Sequence, residues 1–213
     1  MENRRRFLLQ AGTAAAGVVI SGKKGVAALP GILPKEAWPF KPVITFWPQQ
    51  AVAVAATKSS TLKAANHLVD SRYLAFSPLG KNTAFHYAVA PCNPLHIAVL
   101  QYRGDATTKP ALSLALAEAD LHAASLRQST GCTHVLLEWQ GSAGSKWQKA
   151  LEQTRHIDYI STQETNNPSQ LMVYRNALEN EVWVMKYAAN PAGTPLFSLH
   201  YHEASGVCLP QWG

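Results

Sequence analysis

The sequence predicts a single domain of the α+β or α/β class, with a mixed sheet built around a strand–helix–strand unit at 95–139, two or three helices and a C-terminal antiparallel meander at 171–202. Three observations predict it. Two short runs rich in Val, Ile and Leu, LHIAVLQY and THVLLEW, flank a long helical pattern, and a strand, a crossover helix and a second strand favour a right-handed parallel unit. Leu112, Leu116, Ala119, Ala123 and Leu126 recur at spacings of four and three, one apolar stripe on a 3.6-residue helix. Beyond residue 170, two apolar runs are joined by Ala177–Asn180, a hairpin-length loop.

The remaining elements follow in chain order. Residues 29–50 carry Pro30, Pro34, Pro39, Pro42 and Pro48 with Trp38, Phe40, Phe46 and Trp47 among them. Proline removes backbone donors and helical options, so this is an extended segment with a short strand at Val43–Trp47. The globular domain proper then runs 51–213. Ala51–Ala56 suits a strand, and Ser59 or Ser60 can cap a short helix reaching Val69. Tyr73–Ser77 and Thr83–Val89 read as strands around a Pro78-Leu79-Gly80 turn, and Pro91–Pro94 turns the chain into the central unit. There Thr107 or Thr108 can cap the helix, Pro110 suits its first turn and Gly131 lies just past its end. Ser145–Thr154 has helical spacing and His156–Ser161 suits the next strand, a second crossover. Strands at Leu171–Asn176, Glu181–Tyr187 and Leu196–His202 complete the chain.

The formal charge of +6 is concentrated at the amino terminus. Residues 1–28 hold five Lys or Arg and one acid, and the remaining 14 basic and 12 acidic residues leave a net of +2. So nearly neutral a body gives no basis for a nucleic-acid partner driven by basic charge. No stretch after the first 28 residues is long and apolar enough to span about 30 Å of hydrocarbon.

Arg4-Arg5-Arg6-Phe7-Leu8-Leu9 precedes an uncharged run to Gly22, then Lys23, Lys24 and a small-residue end at Val26-Ala27-Ala28. A basic start, a modest apolar run and small residues at the end describe an export signal. Arg4, Arg5, Phe7 and Leu8 resemble the twin-arginine family of signals, and Gly12, Thr13 and Gly17 dilute the apolar run as in that family. The resemblance implies translocation of an already folded protein by the twin-arginine machinery. A periplasmic or secreted protein with no lasting membrane anchor after cleavage is then expected. In such an oxidising compartment the three cysteines allow one disulfide and one free thiol. Cys92 and Cys208, in the turn-like contexts APCNP and GVCLP, are the preferred pair; three unpaired thiols are the alternative.

Two constellations carry candidate chemistry. Cys132 lies between the long helix and the next strand, and a cysteine nucleophile needs a base, for which His134 and His156 are at hand. Thr130-Gly131-Cys132 resembles the Ser-Gly-Cys element of bacterial cysteine deamidases of the cytotoxic necrotising factor type, with Thr130 where that family has serine. The resemblance, confined to a short stretch, implies a Cys132 nucleophile with His156 at the matching downstream position. Geometry points elsewhere, since ligands of open α/β sheets bind outside the carboxyl ends of the strands. Those ends are Arg103-Gly104-Asp105 and 138–145, whereas Cys132 opens its strand. His200 and His202 are two apart on a strand and share a face, with Phe197, Leu199 and Tyr201 on the other. Together with His86 they make a candidate transition-metal set.

No residue pair has the spacing of a catalytic motif, and no glycine-rich phosphate loop occurs. The expectation is therefore an exported, non-catalytic binding or accessory domain, carried out folded, alone or with a protein partner. A small hydrolase or deamidase using Cys132 with His134 or His156 is the alternative, and a metal-binding protein using His200 and His202 the second.

Overall fold

Strands that are apolar on both faces must be covered on both faces, and the central unit is. The computed structural model describes residues 40–47, 68–81, 83–92, 94–104, 109–139, 147–163, 169–187 and 196–212. The targeting segment at 1–28, the strand at 51–56, the helix from Ser59 or Ser60 as far as residue 67, the Thr107 or Thr108 cap and Asp105 lie outside these residues; Val69, the expected end of that helix, is instead in a strand and pairs with Ile44.

Eleven strands and two α-helices are described. They are β1 (Lys41–Phe46), β2 (Val69–Asp70), β3 (Ser77–Pro78), β4 (Phe85–Cys92), β5 (Leu95–Tyr102), α1 (Lys109–Thr130), β6 (His134–Trp139), α2 (Trp147–Leu151), β7 (Tyr159–Gln163), β8 (Gln170–Arg175), β9 (Glu181–Tyr187), β10 (Phe197–His202) and β11 (Val207–Trp212). A seven-stranded sheet has the order β3-β4-β5-β6-β7-β9-β8. Its middle strands β5, β6, β7 and β9 are parallel, while β3, β4 and β8 join antiparallel. The expected α+β class, with β5–α1–β6 at its centre, α2 making the second crossover and antiparallel strands at the C-terminus, is the fold observed.

The strands form two sheets, where the sequence suggests one. β11-β10-β1-β2 make a separate four-stranded sheet, so the C-terminal antiparallel strands are divided: β8 and β9 in the larger sheet, β10 and β11 in the smaller. β11 is new relative to the sequence reading. It contains Pro210, which an edge strand tolerates because its outer donors go unpaired anyway. The expected strand at Tyr73–Ser77 is instead a 3₁₀ turn at Ser71–Tyr73, capped by Asp70, with β3 starting only at Ser77.

Side-chain alternation sorts the core into two layers. Ala98, Leu100 and Tyr102 of β5, Val135, Leu137 and Trp139 of β6, and Val182 and Val184 of β9 face α1. Against them lies the predicted stripe: Leu112, Leu116, Ala119, Ala123 and Leu126 are all buried. Ile97, Val99, Leu136, Tyr159, Trp183 and Met185 face the other way and meet Val43, Ile44, Phe46, Phe197 and Leu199 of the smaller sheet. The result is three layers: helix, seven-stranded sheet, four-stranded sheet. Gly131 ends α1 with φ +67° and donates its N–H to Arg127 O, the left-handed cap that glycine supplies without a Cβ penalty.

Candidate functional site

A polar cleft of about 470 Å³ opens at the amino ends of the parallel strands, bounded by both sheets. Leu95, Arg127, Thr133, His134, Arg155, His156, Asp158 and Asn180 line it from the larger sheet and its connections, and Tyr201 and Gly206 from the smaller.

Four side chains, Arg127, Asp158, Asp120 and Asn176, hold its floor in shape. Arg127, in the last turn of α1, donates to Thr133 O (2.7 Å), to His156 O (3.2 Å) and to the Asp158 carboxylate. The same carboxylate accepts the Val135 N–H at 2.8 Å, tying the loop before β7 to the start of β6. Asp120, two turns earlier on α1, accepts the N–H groups of Arg155 and His156 at 2.8 and 2.7 Å. Asn176 closes the third side: its Nδ2 donates to Arg155 O, and its Oδ1 accepts from Leu178 N and Asn180 N. Helix α1 thus fixes the loop that presents Arg155 and His156.

The electrostatic balance of the cleft follows from these bonds. Asp158 is the one acid in the lining among the described residues, and Arg127 neutralises it. Arg155 is exposed and makes no salt bridge among the described residues. His134, with Nδ1 3.0 Å from Thr133 Oγ1 and its ring 5.9 Å from that of Tyr159, and His156 add two imidazoles. With the Asn180 amide and the Tyr201 hydroxyl, the cleft offers one uncompensated cation and several donors, which suits an anion.

Cys132 does not join this group. The residue is 4 % exposed and belongs to the core cluster beneath α1 that also holds Leu126 and Val135. His134 lies on the opposite face of the sheet, against Tyr159 of the inter-sheet core, and His156 lines the cleft. The structure brings the two proposed bases to one cleft and leaves the proposed nucleophile out of it.

The histidine set is likewise not assembled. His200 and His202 do share the outer face of the smaller sheet, as their spacing requires, but each turns to its own serine: His200 Nε2 lies 2.8 Å from Ser198 Oγ, and His202 Nδ1 2.7 Å from Ser205 Oγ. His86 belongs to the other sheet. No group of three His, Cys, Asp or Glu able to hold a metal ion occurs among the described residues. Burial pushes the His200 imidazole below its ordinary value, against a backbone hydrogen bond with Phe40 that raises it. His86 is also lowered, first by burial and then by the Arg103 charge.

A polar row crosses the carboxyl ends, where the sequence argument placed a ligand. Gln101, Glu138 and Ser161 are register neighbours on β5, β6 and β7. Arg103 Nη2 donates to Gln101 Oε1 at 2.8 Å, and Gln101 Nε2 donates to Glu138 Oε2 at 2.7 Å. Burial, then the Glu138 charge, pushes the Tyr187 phenol up to about 12, opposed by its hydrogen bond with Ser161. The row satisfies itself and is not part of the cleft.

Of the cleft residues, sequence reasoning found His134 and His156 and missed Arg127, Arg155, Asp158, Asn180 and Tyr201. One signal was present: Asp158 is an acid set directly before a buried strand, where only a partnered carboxylate is tolerated. No protein-family model matches the chain, and neither the curated proteins nor the solved structures return a match.

Proposed function

We propose that this chain is an exported binding or accessory domain that holds a small anionic ligand, of the carboxylate or phosphate class, in the amino-end cleft. The Arg155 guanidinium beside His134 and His156, without a salt bridge among the described residues and with the one described lining acid already paired, carries this reading. A carboxylate or phosphate accepts charge-assisted hydrogen bonds from such donors. Translocation in the folded state by the twin-arginine machinery, and a periplasmic or secreted location, rest on the resemblance of residues 1–28 to that family of signals. A binding role rather than cysteine chemistry is favoured by the position of Cys132 beneath α1.

Titration of the purified protein with inorganic phosphate and with citrate, followed by the midpoint of thermal unfolding, tests the reading. A saturable rise is expected in the wild type, because a ligand bound only by the folded state stabilises it. Arg155→Ala, at an exposed position, is expected to weaken binding by about tenfold or more, the loss of one charge-assisted contact. No rise with either anion, or an equal rise in the variant, contradicts the proposal. The cysteine-dependent alternative has its own readout: rapid labelling of Cys132 in the folded protein at a pH well below the ordinary thiol value of about 8.5 favours it.

A further inference from the structure

Two of the three thiols lie between the sheets. Cys92 ends β4 in the larger sheet and Cys208 lies on β11, an edge of the smaller. The sequence contexts suggested turns, but both residues are on strands. They are 0 % and 5 % exposed and belong to one core cluster. Both are thiols in this structure, and the Cys208 thiol bears electrostatically on Cys92. Their strand partners connect them to the cleft. Cys92 pairs with Leu95 and Cys208 with Tyr201, and Leu95 and Tyr201 stand on walls of the cleft that belong to different sheets. Cys132 lies on the far side of the larger sheet, under α1.

We propose that Cys92 and Cys208 are a disulfide-forming pair that cross-links the two sheets behind the cleft. This stands apart from the anion reading, since it rests on the inter-sheet core and not on the cleft's charges. The oxidant is a disulfide, such as oxidised glutathione or a disulfide oxidoreductase. One cysteine attacks it as the thiolate and forms a mixed disulfide, and the other then displaces the bound half. Two S–H bonds are lost and one S–S bond forms. The oxidant's S–S bond breaks in exchange, and its two sulfurs take up the electron pair and the two protons and leave as two thiols.

Burial pushes both thiols up to about 12: for Cys92 the neighbouring Cys208 adds to it, and for Cys208 a hydrogen bond from Tyr159 opposes it while the Asp158 charge adds to it. The thiolate is the attacking species, so exchange is slow once the sheets have closed over the pair. The bond therefore forms during folding or on local opening. It closes the long loop from 92 to 208 and restricts the unfolded chain accordingly.

The test is peptide mapping of the full chain, wild type and Cys132→Ser. Each is refolded from reduced, denatured protein in a glutathione redox buffer. The fraction that regains the near-ultraviolet signal of its buried tryptophans is quenched with acid and alkylated in denaturant without reductant. The expected product in both proteins is a peptide pair joined through Cys92 and Cys208, two hydrogens lighter than the separate peptides, with Cys132 alkylated in the wild type. Alkylation of all the cysteines, or a link that includes Cys132, overturns the proposal.

Discussion

Arg127 donates to a carboxylate and two carbonyls at the base of the cleft, and that leaves Arg155 as the cation facing solvent. Among the described residues the lining then holds no unpaired acid, and this is what supports the proposed anionic ligand. Histidines elsewhere act on stability. Burial is the first cause of the lowered imidazoles of both His86 and His200, so the unfolded chain binds their protons more tightly than the folded one. As pH falls through the unfolded value of about 6.5 the unfolded state is favoured, and stability is lost until the lower folded values are reached. Above about 6.5 both forms are neutral and these two residues contribute no pH dependence. Urea unfolding between pH 8 and pH 5 is expected to show this loss, and His86→Gln with His200→Gln to reduce its slope. An unchanged slope in the double variant counts against the assignment.

Helix α1 does two jobs through different faces. Its stripe fills the core against the larger sheet, and Asp120 and Arg127 fix the cleft loop. Leu116 is 1 % exposed in the middle of the stripe. Leu116→Ala is expected to cost about 2–5 kcal/mol through lost burial and the cavity left behind, and Leu121→Ala, at a 73 % exposed position, less than about 0.5 kcal/mol. Chemical denaturation checks both; equal costs contradict the packing described. This helix was legible in the sequence because a 3.6-residue period shows which face is buried. Strand pairing was less so. A period of two gives the faces of a strand and not its neighbours, so nothing local announced that Lys41–Phe46 pairs with Phe197–His202 across the length of the chain. Pro42 and Pro210 further disguised β1 and β11, whose register accommodates them at a bulge and at an edge. The cleft was legible only in part for the same reason: Asp120 meets Arg155, and Arg127 meets Asp158, through the tertiary fold.

At the scale of the whole molecule, a helix layer and a small sheet enclose a larger one, and the cleft lies where the two sheets meet. Arg4 and Arg5 belong to a segment outside the described residues, and export rests on their resemblance to twin-arginine signals. Fractionation of cells is expected to find a shortened wild-type chain in the periplasm, and the full-length chain retained in the cytosol when Arg4→Lys and Arg5→Lys are combined. Full-length wild type in the cytosol contradicts export. The binding claim is more central, and it predicts where the ligand sits. The most direct measurement is a phosphate titration followed by the ring resonances of the assigned histidines at constant pH. Saturable shifts at His134 and His156, with His86, His200 and His202 unmoved, are the predicted result; shifts confined to the latter three, or none at all, would contradict it.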